Sequence, residues 1–328
     1  MHRLARLTLP LAGIVLAIAA RPGAAEPVRQ SFEILTGAAD GSHFPVGERI
    51  ARVISHPPGL ARCETQPVCA PPGVIVSART SQGSVANILA VNAGVVASGL
   101  AQAPLVADAI RGRGAFRKPG PQTHIRVMAD LFPEAVRLVV RPGIGGVPGL
   151  RGRRVAVGAA GTGSEAIATA VLAACGVRAG AILRQTAEAG LLRDNKADAL
   201  FLLGDAPPPV ADLVARGGAR LVAIDGKLRR RLIARVPGLE ADTIVAVRGG
   251  GIATVGADTL WIVGDAAPAA TVYGIVRALY DPANRGMLAP GARPVPDIRL
   301  GAVAGLGTLP LHPGAARFYR EAGMIGPR

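Results

Sequence analysis

The 328-residue sequence predicts an α/β protein built as two lobes, on three observations. Short apolar runs alternate with Ala-rich helical segments through most of the chain, the pattern of mainly parallel strands joined by helices. Once a leader is removed, roughly 300 residues remain, more than one apolar core serves efficiently, so two cores are expected. Two segments dense in Gly and Pro, Arg141-Pro-Gly-Ile-Gly-Gly-Val-Pro-Gly149 and Val247-Arg-Gly-Gly-Gly-Ile-Ala253, stand where the chain could cross between them. Crossing at both places residues 143–251 in one lobe and joins 26–142 to 252–328 in the other. Two such crossovers make a hinge, in which a few junction residues absorb closure.

The leader is residues 1–25. Arg3 and Arg6 precede an apolar run from Leu7 to Ala20, and the small residues Gly23-Ala24-Ala25 follow. The run is short for a bilayer span, which needs about 20 apolar residues, and the flanks are those of a cleaved secretory signal. The mature protein is therefore expected in the periplasm, as a soluble monomer. Removing Arg3, Arg6 and Arg21 lowers the net charge from +15 to +12. Such a charge invites a nucleic-acid reading, but aromatics for base stacking are 3% and the arginines are scattered. No nucleic-acid partner is expected. A basic protein does steer anionic solutes toward its cleft.

Strands are expected at 31–36, 74–79, 95–102, 125–131, 136–141, 154–158, 199–203, 221–224 and 260–264. Helices are expected at 45–54, 84–93, 164–174, 187–195, 209–215, 227–236 and 267–280. Cys63 and Cys69 lie six residues apart in a Pro-rich loop, which in an oxidising compartment reads as a local disulfide. Cys175, within Val171-Leu-Ala-Ala-Cys-Gly176, reads as a small hydrophobe.

Three Gly/Ser-rich loops fall where a strand gives way to a helix: Thr36-Gly-Ala-Ala-Asp-Gly-Ser-His-Phe-Pro-Val-Gly47, Thr80-Ser-Gln-Gly-Ser-Val-Ala-Asn87 and Gly158-Ala-Ala-Gly-Thr-Gly-Ser-Glu165. Each offers free helix N-terminal amides and short hydroxyls, suited to a carboxylate or phosphate. In open α/β sheets ligands lie at the carboxyl ends of strands, where all three belong.

Other chemistries find little support. Gly-x-Ser-x-Gly is absent, no Walker lysine follows a Gly-rich loop, and the five histidines form no His/Cys/carboxylate cluster that reads as a metal site. Ser42 and His43 are adjacent in sequence, which does not make them a catalytic dyad. Neither catalysis nor a cofactor is expected. The alternative is a dinucleotide-binding enzyme, because Gly161-Thr-Gly-Ser-Glu-Ala166 fits Gly-x-Gly-x-x-Ala and Glu188 follows at a suitable distance.

The three loops and the C-terminus together resemble the TAXI family of solute-binding subunits of TRAP transporters. The first loop is similar to that family's Thr-Gly…Gly-Thr-Tyr-Tyr-Pro-x-Gly opening, and Ser81-Gln-Gly-Ser-Val-Ala-Asn87 to its Gly-Ser-Val-x-Asn turn. Leu150-Arg-Gly-Arg-Arg-Val-Ala-Val-Gly158 resembles its Leu-x-Gly-Lys-x-Val strand entry and Gly161-Thr-Gly-Ser164 its Gly-Ser-Gly-Thr loop. Leu311-His-Pro-Gly-Ala-Ala-Arg-Phe-Tyr-Arg-Glu-Ala-Gly323 resembles its closing helix.

The resemblance implies a type II periplasmic binding-protein clamshell with the ligand between its lobes. It also implies a small anionic ligand, an amino acid or dicarboxylate of the glutamate kind, and delivery to a TRAP-type integral membrane permease. A sensor that signals to a membrane partner would share the same fold. By position, ligand contacts are expected from Ser42 and His43, from Gly83, Ser84 and Asn87, from Gln102, and from Thr162, Gly163 and Ser164. The sequence departs from the family at His43, where a tyrosine is usual, and at Pro104, where an acid is usual. It also departs at Arg248-Gly-Gly-Gly, which replaces a tyrosine-bearing stretch. Arg248 or His43 would then supply a cationic contact for a dianionic solute.

Overall fold

The computed structural model describes residues 29–65, 68–186, 188–245, 250–289, 298, 303 and 306–326. The leader expected at 1–25 and the expected ligand contact Arg248 lie outside the described residues.

The N-terminal part alternates strand and helix: β1 (Gln30–Leu35), α1 (His43–Ile54), the short α2 (Ala61–Thr65), β2 (Val74–Arg79), α3 (Ser84–Asn92), β3 (Ser98–Gln102) and α4 (Ala103–Ile110). Helix α1 buries Val46, Ile50, Val53 and Ile54, spaced to form one apolar face. It stops before His56-Pro57, because a residue preceding proline is driven out of the helical region. A disulfide joins Cys63 to Cys69 as expected.

Strand β4 (Ile125–Val140) then runs for 16 residues. Next come β5 (Arg154–Ala156), α5 (Gly163–Ala174), β6 (Ala181–Leu183), α6 (Ala189–Arg193), β7 (Ala199–Leu203), α7 (Pro208–Ala215), β8 (Arg220–Val222), α8 (Gly226–Arg235) and β9 (Leu239–Val245). The second long strand, β10 (Gly251–Gly264), returns the chain to its start. There α9 (Ala269–Tyr280), α10 (Arg285–Leu288) and α11 (Pro313–Glu321) complete the described elements.

The strands are ordered β2-β1-β3-β10-β4-β7-β5-β6, with β8 beside β4 and β9 beside β10. Pairing is parallel within β1–β2, β1–β3, β5–β6 and β5–β7. Between the strands it is antiparallel wherever β4 or β10 takes part, and β4 adds an isolated parallel bridge from Val127 to Leu311. The sheet is thus mixed where mainly parallel sheets were expected, because the two long strands run in opposite directions.

Strand β4 also replaces the two strands expected at 125–131 and 136–141. Phe132-Pro133-Glu134 reads as a break in sequence. At Pro133, however, β4 has β10 on one side, paired to Asp258, while β7 joins only from Val136. An N–H is dispensable beside such an open flank.

Apolar packing divides into two lobes. Phe32, Ile88, Leu100, Phe132, Leu260 and Trp261 belong to one core. Val136, Leu138, Phe201, Val255 and Ala257 belong to another on one face of the β7–β5 sheet, and Val139, Leu200 and Val210 cover its opposite face. Each long strand therefore passes from one core to the other, β4 between Phe132 and Val136 and β10 between Ala257 and Leu260. These changeovers lie a few residues from the Gly-rich segments at 141–149 and 247–253. The register of β4 on β10 slips between Thr259 and Leu260, beside the changeover, which aims Thr259 at its neighbours in the cleft.

Candidate functional site

A cavity of about 490 Å³ opens between the lobes. Its N-terminal wall is the loop from Thr36 to His43, Ser81 to Ser84, and Gln102; the facing wall is Gly158 to Ala160, Thr162 to Ser164, Thr186, Phe201 to Leu203, Asp205 and Pro207. Glu134 lies at the floor, on the strand that links the lobes.

Three helix N-termini converge here. Helix α1 begins at His43, α3 at Ser84 and α5 at Gly163. The N-terminus of a helix carries free N–H groups and a partial positive charge, which favour an anion. Thr162 caps α5 by accepting from Glu165 N, and the Glu165 carboxylate accepts from Gly161 N, so this loop is rigid before any ligand arrives. Ser42, which occupies the cap position of α1, directs its hydroxyl instead to Glu134.

Glu134 organises the floor. Its Oε1 accepts from Ser42 Oγ at 2.6 Å; its Oε2 accepts from Thr259 Oγ1 at 2.8 Å and Gln102 Nε2 at 3.0 Å. His43 Nε2 lies 3.1 Å from the same Oε2, and a carboxylate only accepts, so this ring nitrogen carries a proton. Burial opposes ionisation of Glu134, yet the electrostatic effect of His43 and hydrogen bonds from His43, Ser42 and Gln102 outweigh it and hold the pKa down to about 2. The Gln102 carbonyl accepts in turn from Ser84 Oγ, and Phe132 meets the His43 ring edge to face.

The lobes touch beside the cavity. Val85 N, in the first turn of α3, donates to Gly161 O at 3.1 Å. Gly83 holds φ +106°, which a side chain rarely adopts, and packs on Thr162. A Cβ at Gly163 would collide with the Gln102 carboxamide, which would have to move to admit it.

The residues expected at the site are largely brought together. Ser42, His43, Gly83, Ser84, Gln102, Thr162, Gly163 and Ser164 line the cavity. Asn87 stands behind the wall: it is fully buried, and its amide nitrogen reaches the carbonyl oxygens of Leu35, Thr36 and Leu100, tying β1 to β3. Glu188 directly precedes α6 and is not among the lining residues. Glu134 and Thr259 were not anticipated. A signal was present, because Phe132, Glu134, Val136 and Leu138 are the inward positions of one alternating strand. It was hidden because strands were expected only at 125–131 and 136–141, which leaves Glu134 between them.

Among the described residues, no His/Cys/Asp/Glu group could hold a metal ion, and no helix is long and apolar enough to cross a membrane.

Two cores linked by two long antiparallel strands, with a cavity at the junction, define the class: a two-lobed α/β protein of the type II periplasmic binding-protein fold. The chain belongs to the NMT1-like family, whose model matches residues 34–323. It is similar in structure to a periplasmic transporter protein at 14% identity, with TM-score 0.50, 80% of this chain and 89% of that one covered. It is also similar to the alkanesulfonate-binding protein of Xanthomonas axonopodis pv. citri bound to MOPS, at 16% identity and TM-score 0.43, covering 93% and 86% of the two chains. The ligand-binding core of GluR0 from Nostoc punctiforme, in complex with glutamate, is similar at 16% identity and TM-score 0.42, covering 80% and 95%.

Proposed function

We propose that this protein is a periplasmic solute-binding protein that captures a small carboxylate-bearing metabolite and delivers it to a TRAP-type permease, as a TAXI-type subunit. The observation that carries the binding role is the cavity itself. Three helix N-termini, two from one lobe and one from the other, face a single volume suited to a small metabolite. A carboxylate held there would receive main-chain N–H groups from both lobes and so draw them together. Membership of the NMT1-like family supports the solute-binding role, and the five ordered motifs of the sequence support the TRAP assignment.

An amino acid of the glutamate kind fits the lining better than a dianion. His43 directs its Nε2 proton to Glu134, so that N–H is used within the floor. Of the other ionisable residues of the described lining, Asp205 is paired to Arg137, and Asp40 offers a carboxylate that complements a ligand ammonium group.

The test is calorimetric titration of the mature protein, freed of co-purified ligand, with glutamate, glutamine, succinate and an alkanesulfonate. Binding of an amino acid with no binding of succinate supports the reading. Succinate binding tighter than any amino acid refutes the choice of ligand, and a co-purified dinucleotide in native mass spectrometry refutes the binding-protein role.

A further inference from the structure

The face of the second lobe remote from the cavity carries a dense, outward-facing set of cations. Five of the ten residues of α8, Gly226-Lys-Leu-Arg-Arg-Arg-Leu-Ile-Ala-Arg235, are basic and none is acidic. Lys227, Arg230, Arg231 and Arg235 are exposed, while Leu232 is buried in the core.

Further arginines join them through the C-terminal end of α5. Arg231 donates to the carbonyl of Ala174 and Arg151 to that of Gly176, leaving the rest of each guanidinium outward. Arg153 and Arg178 are exposed on the adjoining loops, whose backbones bond to each other. Asp225 precedes α8, and on the elements packed against the helix the acids are Glu165, paired to Arg184, with Glu240, Asp242 and Asp258.

The patch has charge without an apolar centre. A protein–protein interface is depleted of charge at its core and enriched in aromatic residues there. Here the apolar residues of α8 turn inward, and Ile233 is its one exposed large apolar side chain among the described residues. Many cations on one surface suit an array of diffuse negative charges, for which each Lys or Arg adds a similar increment. Helix α5, 12 residues and about 18 Å long, separates the patch from the cavity at its other end, so a docked protein keeps its cleft free.

We propose that this face, formed by Arg151, Arg153, Arg178, Lys227, Arg230, Arg231 and Arg235, docks the protein on anionic phospholipid headgroups of a membrane surface. The contact is reversible and salt-dependent, and it concentrates the binding protein at the bilayer.

The test is flotation of the mature protein with vesicles of phosphatidylcholine alone or mixed with phosphatidylglycerol. Binding is expected on the mixed vesicles at low salt only. The triple variant Arg230→Glu, Arg231→Glu, Arg235→Glu should weaken it on the order of a hundredfold, and the matching Gln variant should weaken it less. Unchanged far-UV circular dichroism and melting confirm that the variants fold. Reversing Arg113, Arg117 and Lys118 on the other lobe should leave binding within about twofold. No binding to the mixed vesicles at low salt overturns the proposal. So does equal loss from the two reversals, or binding confined to vesicles that contain a permease.

Discussion

His43 Nε2 lies 3.1 Å from Glu134 Oε2, in a contact where the side chains are 9% and 2% exposed. The helix that starts at His43 and the strand that carries Glu134 are otherwise separate parts of the chain. Their pairing joins the first ligand loop to the strand that links the lobes. A buried carboxylate with four donors is stable only while it stays ionised, and that makes the floor of the site sensitive to both mutation and acid.

Glu134→Gln keeps the shape but presents an amide N–H₂ to groups that already donate. The amide carbonyl can serve Gln102, Thr259 and His43 only if the N–H₂ faces Ser42, whose hydroxyl must then turn from donor to acceptor. Loss of the buried carboxylate that these donors surround is expected to lower unfolding free energy by roughly 3 kcal/mol, read by urea denaturation at neutral pH. Ser42→Ala removes a single donor and should cost about 1–2 kcal/mol.

Acid should act through the same carboxylate. Its folded pKa of about 2 lies below its ordinary value of 4.5, so the stabilisation is fully present above that ordinary value. It is lost as pH falls from there toward about 2. Thermal unfolding across this window should therefore fall more steeply for the wild type than for Glu134→Gln, and parallel curves would count against the assignment.

Gly163→Ala places a methyl against the Gln102 carboxamide, which Ser84 and Glu134 hold from either side. The lobes would be held apart at that point. Ligand affinity should fall at least about tenfold while the melting temperature without ligand changes little, since the clash arises only where the lobes meet. Calorimetry and melting curves, measured together, distinguish this from simple misfolding.

Asn87→Ala should behave in the opposite way. Its amide spans three carbonyls of β1 and β3 and does not face the cavity. A loss of about 2 kcal/mol of stability, with ligand enthalpy preserved below the melting point, is the expected result.

Removal of the Cys63–Cys69 disulfide by paired Ala substitution should cost about 2 kcal/mol, because it closes a short loop. The variant should bind ligand as the wild type does, since neither residue lines the cavity.

Much of this was readable in the residues. The three loops announced themselves because a turn ahead of a helix needs Gly for its backbone and Ser or Thr for its cap, and both demands are local. The pairing of Cys63 with Cys69 was equally local. The floor was not, because Glu134 and Thr259 carry no motif and lie 125 positions apart on different strands. The first of them falls in the gap between the strands expected at 125–131 and 136–141.

The sequence by itself determined the α/β alternation, the starts of most helices and the three Gly/Ser-rich loops of the cavity walls, since these follow from short-range periodicity and capping. Tertiary structure alone decided that β4 and β10 are continuous strands of opposite direction, which residues of the two lobes meet, and which carboxylate lies beneath them. The reason is physical. Burial and ionisation depend on what packs around a group, and at Glu134 the partners come from Ser42, His43, Gln102 and Thr259, which only the folded chain brings within hydrogen-bond distance.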